Sequence, residues 1–141
     1  MVKELMHDPI FLAGKSEIAT QEDLQIAQDL LDTLLYHKES CVGMAANMIG
    51  AKKCIIAFLD QSERISTYTV MFNPEIIKCD GVYEAEESCL SLLGGPRKCK
   101  RYKSVKIKYQ TNELKTRIKT YTGFTAQIIQ HEIDHCNGIL I

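Results

Sequence analysis

The sequence predicts one α+β domain spanning residues 1–141, with an N-terminal amphipathic helix, a strand-rich middle and a buried C-terminal helix. Three observations predict it. Leu24, Ala27, Leu30, Leu31, Leu34 and Leu35 recur at helical spacing. Between residues 54 and 121 several short β-branched or aromatic runs are bounded by turn residues. From Thr122-Gly123 onward, Phe124, Ile128 and Ile129 lead into His131-Glu132-Ile133-Asp134-His135. Apolar residues occupy several sides of that last helix, as they do when a helix is covered by sheet.

The first helix begins at Thr20, a natural N-cap, with Glu22 and Asp23 in the first turn, and runs to about His37. Residues 41 to 50, Cys-Val-Gly-Met-Ala-Ala-Asn-Met-Ile-Gly, are too irregular for a strand and too glycine-bounded for a long helix. Such a segment suits a place where backbone approaches another group closely. Cys54 to Leu59 reads as a buried strand and Ile65 to Phe72 as a second, stopped by Asn73-Pro74. Glu75 to Lys78 reads as a third. Val105 to Tyr109 alternates apolar and charged residues, and Leu114 to Tyr121 continues the sheet after a hairpin turn at Asn112-Glu113. Gly138 stops the final helix, and Ile139-Leu140-Ile141 is suited to packing as a short strand.

Composition narrows the function classes. The chain is 45% hydrophobic and 25% charged, with a formal net charge of −1. That balance argues against a dedicated nucleic-acid surface or an anionic membrane as the main partner. Met1 to Pro9 has charges where a signal peptide needs an apolar stretch, and no segment has the length of a transmembrane helix. The expected location is the cytoplasm, where the six cysteines would be free thiols. Cys41, Cys54, Cys79 and Cys99 then read as small buried hydrophobes. Arg97-Lys98-Cys99-Lys100-Arg101-Tyr102-Lys103 is the one strong basic run. It reads as the solvated start of a strand, or as an attraction for the carboxyl-terminal side of a peptide or for ribosomal RNA.

The chemistry lies in the HEIDH pentapeptide. Histidines four apart stack on one helix face and can grip one divalent metal, with Glu132 close enough to act as general base on a water. A third ligand is needed. Cys136 points roughly 100° away from His135, so it is a poor candidate. The strongest upstream candidate is Cys89, in Glu86-Glu87-Ser88-Cys89-Leu90-Ser91, with His7 and His37 as alternatives in more solvated settings. A Cys-His-His set suits Fe²⁺, Zn²⁺, Ni²⁺ or Co²⁺ and disfavours Mg²⁺ or Ca²⁺.

Three segments in this order resemble the motifs of the peptide deformylase family: residues 41–50 match GxGxAAxQxG, residues 87–91 match EGCLS, and residues 131–135 match the HExxH helix. Asn73-Pro74-Glu75-Ile76 also resembles the family's usual strand between the first two. The resemblance implies antiparallel β-sheets wrapped around the HExxH helix. It also implies a metal-dependent hydrolase that removes formyl from the N-terminal methionine of N-formylmethionyl peptides, working in transient proximity to the ribosome. Cys89, His131 and His135 become the metal ligands, with Fe²⁺ first among the metals. Glu132 becomes the general base, the Leu90 N–H an oxyanion donor, and Gly43 and Met44 the flanks of the peptide and its methionine pocket. Three positions depart from the pattern. Cys41 and Ser88 replace glycines, which is tolerable where the backbone is not left-handed. Met48 stands where the family has a glutamine that donates to the oxyanion, and a thioether cannot donate. Losing one such donor typically costs on the order of 10²–10³ in rate. Two other readings stay open: a deformylase-like protein with weak activity or another formyl or acyl substrate, and a small metallopeptidase.

Overall fold

The computed structural model describes residues 1–141. Its strands are β1 (Gly43–Ala45), β2 (Ile55–Asp60), β3 (Thr67–Cys89), β4 (Leu92–Gln110) and β5 (Thr116–Thr122). They form a single five-stranded antiparallel sheet in sequence order, each strand hydrogen-bonded to the next. The helices are α1 (Pro9–Leu12), α2 (Leu24–Tyr36) and α3 (Gly123–Cys136).

β2 explains the layering. Its side chains alternate, so Ile56 and Phe58 meet Ala126, Ile129 and Ile133 of α3, whereas Ile55 and Ala57 meet Leu30 and Leu34 of α2. A strand buried on both faces is apolar throughout, which is why residues 54–59 show no alternation. Ten of the fourteen α3 residues are buried, as expected for a helix apolar on several sides. Its end is a Schellman motif: Gly138 has φ +75°, its N–H reaches His135 O at 3.0 Å, and the Ile139 N–H reaches Asp134 O at 2.9 Å. Residues 139–141 therefore close this cap and form no strand, contrary to the expectation from their composition. The start of α2 is preceded by a 3₁₀ turn, Gln21–Asp23, where Thr20 and Asp23 form a capping box.

Several strand boundaries differ from the sequence expectation. Asn73-Pro74 does not stop a strand; it is a bulge inside β3, which runs on to Cys89. Asn73 adopts φ +53°, and its side-chain amide exchanges hydrogen bonds with Ala19 N (2.8 Å) and Ala19 O (2.9 Å) and donates to Gln110 Oε1 (2.7 Å). The amide thus stands in for the ladder that Pro74 cannot extend, and pairing resumes at Glu75 opposite Lys108. Residues 43–45 form a short strand after all, followed by a 3₁₀ turn at Ala46–Ile49.

Beyond the core, β3 and β4 continue as a long two-stranded arm. The basic run lies inside β4, not at a strand start, with Lys100 opposite Glu84, Lys98 opposite Glu86 and Arg97 opposite Glu87. Opposed charges across an antiparallel pair stabilise it and cancel the field that nucleic acid would need. The cysteine expectation also fails in part: Cys79 is exposed on β3, and Cys41, Cys54 and Cys99 are only half-buried. No helix is long and apolar enough to cross a membrane.

Asn73→Ala is expected to destabilise the fold by about 3 kcal/mol, from lost hydrogen bonds and a left-handed backbone without its side-chain support. Urea denaturation measures this, and a loss below about 1 kcal/mol would mean that the bulge does not depend on the amide.

Candidate metal centre

Three elements converge on one cavity of about 270 Å³: β1 with the Ala46–Ile49 turn, the tip of the β3–β4 arm, and α3. One helical turn separates His131 from His135, and their Nε2 atoms face each other at 3.0 Å. Cys89 sits at the end of β3, and its Sγ and the two imidazole nitrogens all lie within 4.8 Å of one another. The thiol has Met48 Sδ beside it at 3.9 Å. A soft thiolate and two imidazoles converging in a buried site are a donor set for a borderline transition-metal ion and a poor one for Mg²⁺ or Ca²⁺. The residues therefore fit a divalent metal. His7 and His37 stand outside the set: the His7 ring meets Ser91 O, and His37 caps α2 beside Tyr36. Cys136 faces the opposite way, into the core against β2 and β4.

The arm is docked on α3 by a buried ion network. Arg101 bonds Glu87 through Nη2 at 2.7 Å and Nε at 2.9 Å, and bonds Asp134 through Nη1 at 2.7 Å. Glu87 Oε1 in turn meets His131 Nδ1 at 2.8 Å, and Gln127 donates to Glu87 Oε2 at 2.9 Å. A carboxylate on Nδ1 fixes the tautomer that leaves Nε2 free to ligate. Higher on the arm, Gln130 bonds Tyr102 N at 2.8 Å and Tyr102 O at 2.9 Å, completing backbone pairing that β5 does not reach.

Charge and burial set the titration of the site. Burial disfavours the charged form of Glu87, but hydrogen bonds from His131 and Arg101 outweigh it and hold the carboxyl down at about 2. Burial also opposes protonation of His131, yet nearby Glu132 and the bonds to Cys89 and Glu87 hold it well above the ordinary imidazole range. His135 is pushed down, first by burial and then by its neighbour His131. Glu132 is 3% exposed, with one carboxyl oxygen lacking any partner, and burial lifts it to about 7. A carboxylate poised near neutrality on a cavity wall is suited to general-base work.

The remaining expected site residues divide. Leu90, Met48 and Gly43 line the cavity. A Cβ on Gly43 would lie 2.6 Å from Ile128 Cγ2 and 2.9 Å from Glu132 Oε2, so only glycine lets β1 approach α3 this closely. Met44 does not line the cavity: strand alternation turns its side chain to the α2 face, where it is fully buried. Val42, Phe124 and Ile128 supply apolar cavity wall instead. Neither Cys41 nor Ser88 has a positive φ, so both glycine replacements are accommodated without strain. Sequence reasoning missed Arg101, hidden in a basic run, and the role of Glu87. Their only signal was that an acid two residues before Cys89 invites a buried partner.

Comparison with known proteins agrees with this geometry. The family model described as polypeptide deformylase matches residues 5–141. A protein named peptide deformylase from Clostridium beijerinckii is 47% identical over 141 residues, covering 100% of both chains. Peptide deformylase 3 of Shewanella oneidensis is 33% identical over 120 residues, covering 83% of this chain and 73% of that one. A class I type b peptide deformylase from Acinetobacter baumannii with Met-Ala-Ser bound superposes with a TM-score of 0.86 at 28% identity, covering 99% of this chain and 96% of that chain. A peptide deformylase from Legionella pneumophila gives 0.86 at 31% identity, covering 99% and 83%. With its motifs, its fold and its near full-length match in agreement, this chain belongs to the polypeptide deformylase family.

Proposed function

We propose that this protein is a peptide deformylase that hydrolyses the formyl group from the N-terminal methionine of N-formylmethionyl peptides and releases formate. One observation carries the reading: an unpartnered, buried Glu132 shares a cavity with a Cys89-His131-His135 donor set and the Leu90 turn. The reading of Cys89, His131 and His135 as ligands rests on their convergence, and iron(II) is the ion we favour, with Zn²⁺, Ni²⁺ and Co²⁺ compatible with the same donors. When bound, such an ion supplies Lewis-acid polarisation of a carbonyl and makes water more acidic.

The protein's own groups account for the proton movements. Glu132 takes a proton from water as the water oxygen bonds to the formyl carbon, and the carbonyl electrons move to oxygen. The Leu90 N–H donates to that developing oxyanion. The carbon–nitrogen bond then breaks, Glu132 returns the proton to the departing amine, and formate leaves. Glu87, braced by Arg101, keeps the His131 ring in its ligating orientation. Val42, Ile128 and Phe124 offer an apolar wall to the substrate's first side chain, and Gly43 presents backbone beside it. Such a substrate exists where nascent chains emerge, so we place the enzyme in the cytoplasm, in passing contact with translating ribosomes.

Met48 favours a second reading, in which the same site works slowly or on another formyl or acyl substrate. Its thioether adds no donor to the oxyanion, leaving Leu90 as the protein's amide contribution.

Three measurements bear on these roles. Anaerobic protein loaded with Fe²⁺ or Ni²⁺ should release formate from formyl-Met-Ala-Ser, and Met48→Gln should raise the rate by roughly tenfold or more; silence in both forms would sink the deformylase assignment. Cys89→Ala should abolish stoichiometric metal binding, and full retention would mean that the third ligand lies elsewhere. Glu87→Gln should weaken metal affinity by about 10–100-fold in a chelator competition. Unchanged affinity would remove Glu87 from the site's support.

A further inference from the structure

The turn that carries Cys89 and Leu90 is weakly held by its own sheet. Cys89 pairs with Leu92, but the next pair down the arm is Glu87 with Arg97, so Ser88 and residues 93–96 lie in a bulge between them. A single pair therefore tethers the turn. Two-residue hairpin turns favour positive φ, which matches strand twist, yet neither Leu90 nor Ser91 has one. Left to the ladder alone, the direction of the Leu90 N–H would be poorly fixed.

An outside contact supplies the hold. His7 Nδ1 lies 3.1 Å from Ser91 O, and because a carbonyl only accepts, Nδ1 carries the proton. The preceding residue grips the facing turn: the Met6 N–H donates to Met48 O at 2.7 Å. Two adjacent residues thus join both turns that line the cavity. Their own placement is prepared on either side. The Lys3 N–H bonds Thr33 Oγ1 of α2 at 2.9 Å, and Asp8 is extended before Pro9 and caps α1 through Ile10 N at 3.0 Å. Ser91 is 1% exposed, whereas His7 is largely exposed and adds little to the core.

We propose that His7 is a positioning residue for the hydrolysis, clamping Ser91 so that the Leu90 N–H stays directed at the reacting oxygen. The proposal rests on the reading of Leu90 as oxyanion donor. Misdirecting one such donor lowers the rate of the chemical step more than it weakens substrate binding.

The test compares His7→Ala with His7→Asn, whose side-chain amide can present a donor near the place of Nδ1. His7→Ala should lower kcat by about tenfold with KM changed less than about twofold, and His7→Asn should recover most of that loss. In zinc-loaded protein labelled with nitrogen-15 leucine, the Leu90 amide signal should shift and exchange faster in His7→Ala and return towards the parent in His7→Asn. An unmoved Leu90 amide, an unchanged kcat, or asparagine no better than alanine would overturn the proposal. Should the parent release no formate, the amide signals decide it alone, separately from the deformylase assignment. Thermal melts are recorded in parallel, and if His7→Ala does not fold, His7→Phe replaces it, removing the donor while keeping ring bulk.

Discussion

Arg101, with its side chain 5% exposed between Glu87 and Asp134, joins the two parts of the chain from which the site is assembled. Cys89 stands near the tip of a two-stranded arm, and the histidines stand on α3. What brings arm and helix together is a guanidinium with a carboxylate from each. Burying Arg101 and Glu87 is costly, and their mutual pairing, completed by a partly exposed Asp134, is what makes it tolerable. Taking away one partner leaves the others unsolvated, typically at roughly 3–5 kcal/mol. The network therefore acts as a geometric lock more than as a source of net stability. It admits one placement of the arm, and in that placement Glu87 reaches His131 Nδ1.

The same burial creates the reactivity. Glu132 lies on the face of α3 that Gly43 approaches so closely that no side chain would fit between them. Water is thereby kept from one side of the carboxyl, and the carboxyl's affinity for a proton rises towards neutrality. Packing of β1 on α3 and the tuning of the base are one event. Gly43 meets Glu132 and Ile128 through its backbone, while its neighbour Met44, turned by strand alternation, belongs to the opposite core.

How much of this was legible in the sequence depends on whether a feature is local. The amphipathic α2, the doubly buried β2, the Schellman stop at Gly138 and the two histidines on one face all follow from spacing within a few residues. The continuity of β3 did not, because Asn73-Pro74 carries every sign of a stop. The residue that overrides them, Ala19, lies 54 positions away and accepts and donates through the Asn73 amide. Arg101 was illegible for a similar reason. Within its run the three lysines are exposed and Arg97 turns back to Leu93 O, whereas Arg101 is buried between Glu87 and Asp134 on a distant helix. The His7 contact spans 84 positions, so no local pattern could distinguish it from a solvated histidine.

Met48 is where local chemistry and scaffold part. Its side chain is 1% exposed and packs with Leu30, Leu34 and Phe72, while its Sδ accepts from the Ala45 N–H at 3.5 Å. A glutamine at this position could accept that N–H through its amide oxygen and present its amide nitrogen to the cavity. The backbone donor is present here, and the group that meets it is a thioether. Sulfur accepts weakly and fills the volume well, so the change is well tolerated by the core on the α2 side. Its effect falls on the cavity wall beside Cys89, whose thiol lies 3.9 Å from the Met48 sulfur, while the two histidines and Glu132 are held by α3. On the proposed reading, a site altered in this way should lose rate and keep its reaction.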